Sequence, residues 1–122
     1  MNDSLPVFAQ IQLLIENDII SGAYKTDDLI ISTNQISRLY NVNPTTAVKA
    51  VSRLTEDGIL YKRPGIGMCL AAGAREKITT RRKETFLNQT MNALLSEART
   101  LGIPVSELVE VIKNKEGENS HD

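Results

Sequence analysis

The most constraining feature of the chain is a pair of helix-start signals on either side of a very short turn. Ser32-Thr33-Asn34-Gln35 fits a capping box, in which the Ser32 hydroxyl accepts from an early backbone N–H while Gln35 reaches back. Ile36, Leu39 and Tyr40 form the inward stripe behind it. Asn41 tolerates a left-handed backbone and Val42 can plug inward. Asn43-Pro44 then supplies an N-cap and a proline at the first helical position, where a missing N–H costs nothing. One short helix therefore ends near Tyr40. The next runs from Pro44 to Asp57, with Ala47, Ala50, Val51 and Leu54 on one face and Gly58 as its terminator.

The flanks complete a recognisable unit. Val7, Ile11, Leu14, Ile15 and Ile19 recur at helical spacing between Pro6 and Ser21, and Gly22 stops that helix. After Gly58, Ile59–Arg63 and Met68–Ala71 read as strands around the turn-forming tetrad Pro64-Gly65-Ile66-Gly67. Three helices, a tight turn before the third and a glycine-tipped hairpin after it predict a winged helix-turn-helix, whose third helix can lie in a major groove.

Beyond Gly73 the chain changes character. A basic stretch with Arg75, Lys77, Arg81, Arg82 and Lys83 precedes Leu87, Met91, Leu94, Ala98 and Leu101, spaced by fours and threes as in a heptad seam, with Leu95 beside it. Gly102 breaks that helix and Pro104 starts another, whose apolar residues include Val105, Leu108, Val109 and Ile112. The expected fold is mainly α with a small β-hairpin. A DNA-binding domain occupies 1–72, a two-helix dimerisation segment 73–115, and a disordered tail 116–122. Leu87, Met91, Leu94, Leu95, Ala98, Leu101, Leu108 and Ile112 are the candidate dimer residues. The same seam could instead fold back on the winged domain.

Composition bears on function chiefly by exclusion. The net charge of −1 hides a local surplus between Ser32 and Ala72, where Arg38, Lys49, Arg53, Lys62 and Arg63 face only Glu56 and Asp57. The lone histidine, His121, lies in the tail, so neither a histidine-based catalytic pair nor a His/Cys metal cluster can form. No catalytic residue, metal or cofactor is expected. Cys69, the single cysteine, lies in a predicted strand with no second cysteine and no basic neighbour nearer in sequence than Arg63 and Arg75; it reads as a packing residue, with a redox sensor as the alternative. With no membrane span, signal-peptide pattern or possible internal disulfide, a cytoplasmic setting is expected.

The residues also carry a resemblance. Pro6-Val7-Phe8-x-Gln10-Ile11 through Ser21-Gly22, then Ser32, Val42 to Ala50, and Glu56-Asp57-Gly58-Ile59-Leu60 resemble the DNA-binding domain of the GntR family over Leu5 to Ala72. The Asn-Pro-x-Thr-x-x-Lys-Ala pattern from Asn43 to Ala50 is similar to its short-tailed YtrA-like branch. The resemblance implies a homodimeric repressor reading a palindromic operator in double-stranded DNA. A small-molecule effector is left unassigned. Asn34-Gln35, Pro44, Thr26-Asp27 and Gly67-Met68-Cys69 depart from the family pattern, so no operator preference carries over.

On helix 3, Thr45 and Thr46 occupy the first turn, where hydroxyls and free N–H groups can hold a phosphate at the positive end of the dipole. Lys49, one turn on, is the principal candidate reader of a base edge; Ser52 and Arg53 continue the face. Arg53 could instead pair with Glu56 or Asp57. Ser32, Asn34, Gln35 and Arg38 around helix 2, with Asn43 in the turn, are candidate backbone contacts. Lys62, Arg63, Gly65 and Gly67 offer a wing contact, although the glycines could simply close the hairpin. Arg81, Arg82 and Lys83 read either as extra DNA contacts or as a solvated helix surface. A winged protein-interaction module that binds no DNA is the alternative function.

Overall fold

The computed structural model describes residues 5–119, so His121 lies outside the described residues. Three helices, α1 (Val7–Ser21), α2 (Thr33–Tyr40) and α3 (Pro44–Glu56), are followed by a hairpin of β1 (Leu60–Arg63) and β2 (Gly67–Leu70). Then come α4 (Ala74–Thr85), a π-helical turn at Phe86–Thr90, α5 (Met91–Thr100) and α6 (Val105–Asn119). The fold is mainly helical with one two-stranded antiparallel hairpin, as expected.

The local signals act as their chemistry dictates. Ser32 Oγ accepts from Gln35 N–H at 3.1 Å and Gln35 Oε1 accepts from Ser32 N–H at 2.9 Å, the reciprocal capping box. Asn41 closes α2 in the left-handed conformation with φ 51°, which its short polar side chain tolerates. That reversal lets α3 begin only a few residues later, at Pro44. Leu39 departs from the expected stripe and is 64% exposed. The i, i+4 pair Ile36 and Tyr40 takes the inward positions instead, with Val42 packed behind them.

Isoleucine and leucine build the core, in keeping with the scarcity of aromatics. Ile11, Ile15 and Ile19 of α1 meet Ile36, Leu54, Ile59, Leu60 and Leu70. Ala47 and Ala50 are fully buried, and their small side chains let α3 lie close against α1 and α2. β1 starts one residue later than expected, with the Ile59 N–H taken by the Leu54 carbonyl at the end of α3, and β2 lies one residue earlier than expected. A further edge was unread in the sequence: Ile30 N–H donates to Met68 O and Leu70 N–H to Asp28 O. The segment after α1 thereby pairs with β2.

The first compact unit extends through Arg81 and the second starts at Arg82, which moves the boundary expected at Gly73. The reason is packing: Ala74 and Ile78, on the first turns of α4, are buried in the core of the winged domain. In the second unit, the Gly102 N–H bonds Arg99 O and the Ile103 N–H bonds Ala98 O, with Gly102 at φ 72°, so α5 ends as its glycine predicts. The π-helical turn interrupts the heptad between Leu87 and Met91, since residues there advance by a smaller angle than in an α-helix. The helix α6 continues to Asn119, so the tail expected to be disordered from Glu116 is helical over its first residues.

Candidate nucleic-acid interface

The outward side of α3 is the surface on which the candidate residues converge. With Ala47, Ala50, Val51 and Leu54 turned to the core, Thr45, Lys49, Ser52 and Arg53 are left exposed, and Thr46 is half-buried on the flank. Val48 is 50% exposed on the same side. The helical wheel of α3 signalled it, because an apolar residue outside the buried stripe has no packing reason to be there.

The first turn of α3 is already internally satisfied. Asn43 Oδ1 accepts from Thr45 N–H at 3.1 Å and from the Thr45 hydroxyl at 3.0 Å, while Asn43 O accepts from Thr46 N–H at 2.9 Å. Asn43 is thus the N-cap, and the free N–H groups anticipated for a phosphate are occupied by it. Ser32 and the carbonyl end of Gln35 are likewise committed to the capping box, which leaves Gln35 its amide NH2 to offer. Asn34 and Arg38 stand exposed on α2.

The cations of α3 lean on an aromatic ring. Lys49 Nζ lies 4.3 Å from the centroid of Phe8 and the Arg53 guanidinium carbon 5.7 Å from it. Asp57, one of the acids considered for Arg53, is instead bonded by Arg81 at 3.0 Å. The same guanidinium donates to Glu16 at 2.6 Å, where the carboxylate is 2% exposed. Arg81 therefore joins α4 to α1 and to the end of α3, and this structural duty accounts for it. Lys83 stays exposed.

On the wing, Lys62 and Arg63 are exposed. Ile66 N–H bonds Arg63 O at 3.0 Å across Pro64 and Gly65, with Gly65 at φ 78°, the geometry of a type II turn that requires glycine at its third position. Gly67, at φ 132°, also abuts Leu29, whose Cδ1 would lie 3.0 Å from an added Cβ. Both glycines thus have a backbone reason to be there. Ile66 at the tip, 51% exposed, is a further surface residue that sequence reasoning passed over. Tyr61, on β1, donates its hydroxyl to Asp27 Oδ1 at 2.6 Å. That bond raises the phenol's pKa above its ordinary value, with smaller contributions from desolvation and from the Asp27 charge.

The candidate dimer residues divide by exposure. Leu87, Leu94, Leu101 and Ile112 are exposed, Met91, Leu95 and Leu108 are half-buried, and Ala98 is covered by its own chain at 5% exposure. Among the described residues there is no cluster of potential metal ligands, and no helix is long and apolar enough to cross a membrane.

Comparison with known proteins agrees with the geometry. Residues 8–70 match the family of bacterial regulatory proteins named gntR. The chain is 26% identical over 110 residues to the HTH-type transcriptional repressor YtrA of Bacillus subtilis (strain 168), across 90% of this chain and 84% of that protein. It resembles a GntR family transcriptional regulator from Listeria monocytogenes with a TM-score of 0.73 at 27% identity, covering 93% of this chain and 98% of that one. The DNA-binding domain of AraR in complex with operator ORR3 aligns with a TM-score of 0.53 at 31% identity, over 55% of this chain and 81% of that one. With the winged helix built from its own residues and over half of its length matched, the chain belongs to the GntR family of transcription regulators.

Proposed function

We propose that the protein is a homodimeric repressor that reads a palindromic operator in double-stranded DNA, with α3 in the major groove and the wing alongside. The observation that carries the reading is the open face of α3, where Thr45, Val48, Lys49, Ser52 and Arg53 lie side by side on a helix whose opposite face is locked into the core. Lys49 is the principal reader, Ser52 and Arg53 extend the contact, and Val48 suits a thymine methyl. Asn34, Arg38, Lys62 and Arg63 supply backbone contacts around it. The operator complex of the AraR DNA-binding domain, and the repressor named among the relatives, support the same reading.

The palindrome follows from the dimer, since two identical reading heads related by a twofold axis require two inverted half-sites. Exposed Leu87, Leu94, Leu101 and Ile112 support association through the second unit.

The test is selection of bound sequences from random duplexes, followed by Lys49→Ala on the selected site. Specific affinity falls by about 1–3 kcal/mol with a native circular dichroism spectrum. Undiminished binding by that variant refutes the assignment of α3. Failure of the wild-type protein to bind any duplex at low salt would favour a protein partner instead.

A further inference from the structure

Phe8 stands in the first turn of α1, half-buried at the edge of the core. The fully buried contacts of α1 are made by Ile11, Ile15 and Ile19, which are nearly inaccessible, while Phe8 packs only partly against the core. What the ring does touch is the recognition helix: Lys49 and Arg53, one turn apart, both lie over it at 4.3 and 5.7 Å. Each distance is within the roughly 6 Å at which a ring face attracts a cation.

We propose that Phe8 is a positioning residue for DNA recognition, whose ring holds Lys49 and Arg53 in one shared pose on the reading side of α3. The inference rests on the reading of α3 as the DNA-contacting helix. Two like charges at i, i+4 repel each other, and both side chains are long enough that binding must otherwise freeze many rotamers. A carboxylate could hold them, but it would cancel their charge and repel phosphate. An aromatic face attracts the cations through its quadrupole and leaves their full charge available to the nucleic acid. The disposition of the nearby acid agrees, because Asp57 is drawn off by Arg81 at 3.0 Å rather than pairing with Arg53.

The experiment is fluorescence anisotropy of the full chain on a labelled duplex selected by the wild-type protein from a random pool. Phe8→Leu, which keeps the apolar bulk and removes the ring, weakens binding about threefold to fivefold. Phe8→Tyr, which keeps the π face, restores most of the affinity. In a Lys49→Ala background the Phe8→Leu loss shrinks to less than about twofold, because the main cation on the ring is gone. Phe8→Met replaces Phe8→Leu if the latter lacks a native circular dichroism spectrum.

An equal loss in both backgrounds, or no rescue by tyrosine, overturns the proposal and makes Phe8 a packing residue of α1. Wild-type affinity for Phe8→Leu, with a loss for Lys49→Ala, overturns the role of the ring and leaves α3 as reader. Full affinity for Lys49→Ala together with Arg53→Ala overturns both.

Discussion

Arg81→Ala removes the residue that ties α4 to the winged domain, and the structure fixes what that should cost. Its two bonds differ in kind. The one to Asp57, 3.0 Å long, joins side chains that are 43% and 39% exposed, so water screens it and it contributes about 0.2–1 kcal/mol. The one to Glu16, at 2.6 Å, reaches a carboxylate only 2% exposed, and a hydrogen bond to such a charged group nets about 1.5–3 kcal/mol. Full loss of a partner in a dry interior would reach about 3–5 kcal/mol, but the half-open guanidinium position admits water after truncation and keeps the cost below that. The two bonds together are worth about 2–4 kcal/mol, and water entering at the guanidinium position keeps the cost in the lower half of that range, about 2–3 kcal/mol. With m-values of about 1–3 kcal/mol/M, the urea midpoint should fall by about 0.7–3 M. The assay is far-UV circular dichroism in urea at one fixed protein concentration, because self-association would otherwise shift the midpoint. Arg81→Lys recovers only part of the loss, since a single ammonium cannot serve both carboxylates with fork geometry. A native midpoint for Arg81→Ala would refute the argument, as would identical losses in wild-type and Glu16→Gln backgrounds.

The other predictions concern association and pH. Replacing Leu94 and Leu101 together by glutamate places charge on the exposed apolar face of α5, and light scattering should then report one 13.5 kDa chain in place of two; a persistent dimer would locate the interface elsewhere. Tyr61 must be protonated to donate to Asp27, and its raised pKa means that this bond's contribution is fully present below the unfolded tyrosine pKa and lost as pH rises through the folded one. The stability gap between wild type and Tyr61→Phe should therefore close as pH rises past about 10, and a gap that widens would refute the assignment.

Much of the winged domain was legible because its signals are local. The capping box at Ser32 and Gln35, the left-handed Asn41, the Asn43-Pro44 start and the glycine-tipped turn each act over a few residues, and each appears in the structure where its chemistry put it. The reading faltered where a residue's fate depends on distant partners. Nothing near Arg81 in sequence reveals that Glu16 and Asp57 converge on it, so it looked like one member of a basic run. Ile78 sits in a polar stretch and is buried by elements far along the chain. Leu39 fits the wheel of α2 as well as Tyr40 does, and only tertiary packing chose between them. The π-helical turn at Phe86–Thr90 has no signature in hydrophobic spacing, so the seam looked continuous. On the outward face of α3, the side chains expected to be exposed are so, but the capping bonds of Asn43 and the ring under Lys49 are three-dimensional facts.

The burial of Ala74 and Ile78, together with the grip of Arg81, also decides where the protein can be cut and recombined. A fragment ended at Gly73 would lose the plug that Ile78 provides and take Arg81 away from Glu16, so it should be a poor stand-in for the intact winged domain. The natural place to exchange one regulator's C-terminal segment for another's is therefore inside a continuous helix, just past Arg81, and a hybrid joined there would have to preserve helical phase across the junction rather than merely supply a loop of suitable length.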